Sequence, residues 1–369
     1  KKSQSTDTLG VALVKLLVMG YLLGSNLATD VPIYILALVI GIYQIFHASI
    51  NLVTYVLYRK NKIRPRFRFL LDGLVLVFLG GTSLLSSTGN SVFQLFVLGA
   101  YFCLYGVSNI RDGFLFEKEI GKNHLKRRVR MSLPIALAAF IPASTLAKIN
   151  KFMQENADEE EDIHLGIVKS GKTAELEIFV HTAETSLFSA IGHVDICYQG
   201  RVISYGNYDP SSETLFGMIG DGVLYFCDRD KYIDLCKRES QKTLFGYGID
   251  LTPEMEEAVQ EKLAELKQLT IPWEPSADKI KTEDGKEDYT YAYKIRHETD
   301  GELYKFIKSK FKSYFVLSTN CVLLADTIVG QAGTDILSPK GFIAPGTYQA
   351  YLDREFEKPN SIVVSKHVY

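Results

Sequence analysis

The stretch IGHVDICYQGRVISYG, residues 191–206, decides how the second half of this 369-residue chain is read. Two apolar runs flank Gln199-Gly200, the pattern of a β-hairpin that turns at that pair. Side chains alternate along a strand, so His193, Asp195 and Cys197 share one face of the first arm.

Working outward, AELEIFVHTA (174–183) places Leu176, Ile178 and Val180 on one face, as in a half-buried strand. GDGVLYFCD (220–228) is a further strand after a turn. LTPEMEEAVQEKLAELKQLT (251–270) predicts a helix with Thr252 as N-cap, Pro253 at its first position, and Met255, Val259, Leu263 and Leu266 at helical spacing. SADKIKTEDGKEDYT (276–290) reads as a charged surface loop. TNCVLLADTIVG (319–330) predicts a buried helix capped by Thr319 or Asn320 and ending at Gly330. In GFIAPGTYQAYL (341–352) a Pro-Gly turn precedes an aromatic stretch, expected to pack against the domain or line a substrate groove. Strands mixed with helices in this way give an α+β class for residues 166–369.

The rest of the chain differs in kind. Residues 1–150 hold 17 Lys and Arg but 6 Asp and Glu; the totals of 41 and 43 leave 24 and 37 for residues 151–369. The acidic half is a poor nucleic-acid binder, since such binding neutralises phosphates with Lys and Arg. The run ENADEEED (155–162) reads as part of a solvated linker over 151–165. Five apolar stretches, roughly 9–24, 31–58, 69–87, 91–110 and 131–149, each reach or approach the ~20 residues that cross a bilayer as a helix. Residues 1–150 are therefore expected to form an α-helical membrane bundle of about five spans, the first of them short and carrying Lys15. Four stretches after the first argue against a cleaved leader. The loops RKNKIRPRFR (59–68) and RDGFLFEKEIGKNHLKRRVR (111–130) are basic, so the positive-inside rule sets both in the cytoplasm and the C-terminal domain outside. Lys15 and Asp72, inside apolar stretches, read as a bundle-stabilising pair, with an ion pathway as the other possibility. Hydropathy and Gly80-Gly81 resemble the small HdeD-type membrane family.

One motif is conspicuous and misleading. GIVKSGKT (166–173) fits the phosphate-loop pattern at Gly166, Gly171, Lys172 and Thr173. Such a loop needs a strand before it and a helix after it. Here acidic linker precedes the pattern and a strand-like alternation follows, although Asp228 could pose as the magnesium carboxylate. The expectation is a turn, with no nucleotide bound. The five cysteines (103, 197, 227, 236 and 321) form no CxxC, and the histidines form no HExxH. This argues against a structural zinc site or a disulfide framework, and no cofactor is expected.

Cys321 and His193 carry the chemistry. A cysteine at a helix N-terminus has its thiolate favoured by the helix dipole and free N–H groups. A histidine alongside can take its proton and so activate the nucleophile, and the Cys321 N–H could help form an oxyanion hole. Cys197, Cys227 and Cys236 read as structural. A strand histidine in GHVDICYQGRVISYGNYD, followed over a hundred residues later by Asn-Cys opening a helix, resembles the circularly permuted branch of the NlpC-type papain-like superfamily. That branch includes the lecithin retinol acyltransferase-like proteins. The resemblance implies a cysteine hydrolase or acyltransferase that forms a thioester from an amide or ester. It also implies a residue orienting the imidazole from the strand after His193. Asn207 is the first candidate, with Tyr205, Ser204 and Asp195 as rivals. Where the family often carries His at this point, this chain has none.

The expected function is thus a membrane-anchored, extracytoplasmic thiol enzyme. Its substrate would be a cell-envelope molecule: a peptidoglycan peptide, a lipoprotein, or an acylated lipid or teichoic polymer. Membrane lipid is an expected partner, and nucleic acid is not. The alternatives are a non-catalytic envelope sensor or scaffold, or a transporter with an accessory domain.

Overall fold

A computed structural model describes residues 31–85, isolated helical positions between 93 and 103, and residues 165–169, 174–181, 193–240, 244–281, 285 and 287–330. Near the C-terminus it describes 349, 352–353, 355–358 and 361–369. The chain forms two compact units, Lys1–Leu115 and Phe116–Tyr369.

In the first unit, α1 (Val31–Lys60) and α2 (Phe67–Leu85) form an antiparallel pair. The axes approach closely: a Cβ on Gly73 would stand 2.9 Å from Leu52, and one on Gly80 would stand 2.9 Å from Ile45. Leu38, Ile42, Phe46, Leu74 and Phe78 point outward from the pair. Two segments, Ala37–Lys60 and Phe67–Leu85, are long and apolar enough to cross a membrane. They correspond to the second and third apolar stretches of the sequence. The stretches 9–24 and 131–149, most of 91–110, the acidic linker and Lys15 lie outside the described residues. The support therefore reaches two spans and not the bundle of about five.

The second unit is built on strands β1 (Leu165–Val168), β2 (Leu176–His181), β3 (His193–Tyr198), β4 (Arg201–Gly206), β5 (Ile219–Asp221), β6 (Val223–Asp228) and β7 (Leu244–Ile249). The remaining strands are β8 (Thr270–Pro272), β9 (Lys279–Lys281), β10 (Glu287–Tyr289), β11 (Glu302–Phe306), β12 (Ser313–Phe315) and β13 (Val363–Val368). Its helices are α3 (Arg229–Ser240), α4 (Pro253–Gln268), α5 (Tyr291–Glu298) and α6 (Cys321–Val329). Nine strands make one antiparallel sheet in the order β1-β13-β7-β2-β3-β4-β6-β11-β8.

Both faces of the sheet are covered. On one, Ile178, Val194, Ile196 and Tyr205 pack against Met255 and Val259 of α4 and Val322, Leu324 and Ile328 of α6. On the other, Phe179, Cys197, Val202 and Tyr225 pack against Tyr232 and Leu235 of α3 and Ala292 and Ile295 of α5. Thr252 caps α4, its hydroxyl accepting from the Met255 N–H, as the sequence predicts.

One local reading needs correction. The charged segment 276–290 contains a two-stranded ladder, β9 with β10. Asp228, which could have posed as a metal carboxylate, caps α3 instead: its Oδ1 accepts from the N–H groups of Asp230 (3.1 Å) and Lys231 (3.0 Å). GIVKSGKT starts in β1 and leads into β2, so a strand stands where the phosphate-loop pattern requires a helix. Residues 170–173 themselves lie outside the described residues, as does most of 341–352.

Candidate active site

The β3–β4 hairpin sets the geometry. Gln199 (φ 50°) and Gly200 (φ 74°) are both left-handed, the two-residue turn whose twist matches that of the flanking strands. The turn fixes the register Tyr198↔Arg201, Cys197↔Val202 and Ile196↔Ile203. Extended to the start of β3, that register sets Gly206 opposite His193. Period two then puts Ser204 and Tyr208 on the face of His193 and sends Asn207 to the other.

The side chains follow this pattern. His193 Nε2 lies 2.9 Å from Ser204 Oγ, 3.0 Å from the Tyr208 hydroxyl and 2.8 Å from Asp195 Oδ1. Tyr208 reaches the ring because it folds back over Gly206, where a Cβ would stand 2.6 Å from its ring. Asn207 is not at the imidazole: its Nδ2 donates to the Gly217 carbonyl at 3.3 Å. It braces the 214–219 turn, and the strand's alternation explains why. Tyr205 is also remote, buried with its hydroxyl donating to the Phe311 carbonyl at 3.0 Å. Of the sequence candidates, Asp195 and Ser204 are the two that meet His193.

Asp195 has no solvent-exposed side-chain surface. Its Oδ2 accepts from Tyr232 at 2.5 Å and from His181 Nε2 at 2.7 Å. Its Oδ1 makes an ion-pair approach to His193 and is without an aligned hydrogen bond. Burial alone would raise this carboxyl. The charge of His193 outweighs that effect, and the hydrogen bond from His181 adds to it, so Asp195 is held far below the usual carboxylate range. The reverse holds for His193. Burial would lower its pKa, but the charges of Asp195 and Cys321 raise it well above 6.5.

Cys321 arrives from α6. Asn320 caps that helix: its Oδ1 accepts from the Leu323 N–H at 3.1 Å, while its Nδ2 donates to the Val316 carbonyl at 2.9 Å. Cys321 is thus the first helical residue, and α6 packs on β3 and β4. The helix lies on the sheet face opposite Asp195. Because His193 is the first residue of its strand, the helix N-terminus still comes near the imidazole, and the thiol is close enough for its charge to act on the ring. Cys321 is 4% exposed, whereas 25% of the His193 side chain meets solvent, so the site opens on the imidazole side.

Cys197, Cys227 and Cys236 are buried apolar-cluster members of the other sheet face. Burial, aided by the Glu177 charge, pushes the Cys197 thiol up to about 12.

Sequence reasoning missed His181, Tyr208 and Tyr232. His181 follows Glu177 and Phe179 in alternation, but only the β2–β3 register of the fold sets it opposite His193. Tyr232 could not be found this way, because the charged segment RDKYIDLCKRES hides the helix that carries it. No protein-family model, curated protein or solved structure matches this chain.

Proposed function

We propose that this chain is a thiol hydrolase or acyltransferase, with Cys321 as nucleophile, His193 as general base and then acid, and Asp195 as the residue that orients and charges His193. The observation that carries this reading is a cysteine at a helix N-terminus, within reach of a strand imidazole whose Nε2 faces a buried carboxylate. With three oxygens around Nε2, Nδ1 is the ring nitrogen left for the thiol.

In the proposed cycle, Cys321 passes its proton to His193 and the sulfur attacks the carbonyl carbon of an amide or ester. A C–S bond forms, and the Cys321 N–H at the start of α6 faces the developing oxyanion. The His193 proton goes to the leaving nitrogen or oxygen, that bond breaks, and a thioester remains. Water or an acceptor hydroxyl or amine then gives its proton to His193 and attacks the thioester, and the thiol is released. The roles and the order, histidine before cysteine, agree with a permuted papain-like domain.

The two apolar helices suit a membrane anchor. The basic segment between them would lie in the cytoplasm, with the catalytic unit on the far side facing cell-envelope amides or esters. Intact-mass analysis of the full-length protein after treatment with an activated acyl ester tests the chemistry. One acyl adduct on Cys321 is expected, lost in Cys321→Ala; a protein that takes no adduct contradicts the reading.

A further inference from the structure

A fully buried carboxylate is stable as an anion only with paired charge and hydrogen bonds around it. In the proposed cycle His193 gives its proton to the leaving group, and Asp195 then loses the imidazolium beside it. A second imidazole is already in place. His181, directly across the β2–β3 ladder from His193, sets its Nε2 2.7 Å from Asp195 Oδ2. The two rings meet edge to face with centroids 5.7 Å apart. Tyr232, reaching over from α3, donates to the same carboxylate oxygen and lies 3.1 Å from His181 Nε2. One carboxylate thus meets two histidines, one at each oxygen.

We propose that His181 is a positioning residue that holds the negative charge of Asp195 through the step in which His193 becomes neutral. The proposal rests on the thiol reading of the site. His181 is faced by Asp195 and His193 from β3 and by Tyr232 from α3. His193 is faced by Asp195, Ser204, Tyr208 and Cys321. Tyr208, Tyr225 and Tyr291 also feel the Asp195 charge. Without His181, Asp195 would retain one imidazole as its cationic partner, and His193 would hold its proton more tightly.

The test is the rate of iodoacetamide labelling of Cys321 in the full-length protein, read on the Cys321 peptide by mass spectrometry, from about pH 4 to about pH 10 to span the ordinary His and Cys ranges. The wild type is expected to show an alkaline inflection as His193 loses its proton. In His181→Phe the alkaline inflection should move upward by about one unit, a tenfold rise in the proton affinity of His193. His181→Gln, whose amide can still donate to Asp195, should lie between. Inflections that stay in place in both variants, whether or not the overall rate falls, overturn the proposal and leave His181 a packing residue. A wild-type profile with the single inflection of an ordinary thiol would instead sink the Cys321–His193 pair itself.

Discussion

The turn end of β3 and the start of α6 each bury a cysteine, and Cys197 and Cys321 are both 4% exposed. Cys197 stands among apolar side chains of the sheet, near the Glu177 charge, and its thiol is pushed up to about 12. Cys321 begins a helix and meets an imidazole held by a buried carboxylate. The lesson is that burial does not decide what a thiol can do. The groups that face it do, and here a helix N-terminus and one end of a strand supply them.

The sharpest break of this comparison is substitution of each cysteine. Cys321→Ala is expected to lower turnover of an activated acyl ester by about 10⁴-fold or more, the scale seen when a nucleophile is removed. Cys197→Ala should leave turnover within about twofold, a loss of packing alone. Equal losses in the two variants would mean that the helix start confers nothing.

Next comes the carboxylate. Asp195→Asn keeps the shape but removes the charge, and a fall of about 10²- to 10⁴-fold in ester turnover is expected by analogy with other orienting carboxylates. The same pair sets a pH window for stability. The Asp195 carboxyl is depressed in the fold, so its contribution is present above its ordinary 3.8 and is lost as acid protonates it. His193 is raised, so its contribution is full below its ordinary 6.5 and is lost as pH climbs through the folded value. Thermal unfolding should therefore show the pair's stabilisation between those limits, and Asp195→Asn should flatten both limbs. A wild-type curve indistinguishable from that of Asp195→Asn would rule out the ion pair.

Smaller effects sharpen the picture. Tyr208→Phe and Ser204→Ala each remove one hydrogen bond to His193 and should slow turnover by about three- to tenfold, the kinetic equivalent of roughly 0.5–1.5 kcal/mol. Asn207→Ala should change turnover least, within about twofold. It should lower stability by about 1 kcal/mol through loss of the bond to the Gly217 carbonyl. A larger kinetic effect at Asn207 than at Tyr208 would restore Asn207 as the orienting residue.

Much of this architecture was legible in the residues themselves. Alternation around Gln199-Gly200 gave the hairpin, and Thr252-Pro253 and Asn320 marked two helix starts by their capping chemistry. The pairing of His193 with Cys321 came from helix-terminus chemistry combined with chain order. The orienting residue was less accessible, because one position along a strand exchanges its faces. Asn207 has suitable chemistry, but it lies one step out of phase with His193, while Asp195, in phase on the same strand, is the residue at the ring. His181 was hidden for a different reason. Its role depends on which strand lies next to β3 on the side away from the hairpin, and no local pattern gives that adjacency. In the N-terminal half, hydropathy located two helices of spanning length, and their close approach at Gly73 and Gly80 emerges only once they are paired.

The central claim, that the start of α6 and not burial makes Cys321 the reactive thiol, is tested most directly by competition within one molecule. The full-length protein is labelled briefly with iodoacetamide at neutral pH, and adducts on Cys197 and Cys321 are counted by peptide mass spectrometry. Cys321 is expected to react at least about 100-fold faster, because the thiolate is the reacting form and a thiol held near 12 supplies almost none. Equal labelling of the two, or faster labelling of Cys197, would contradict the account.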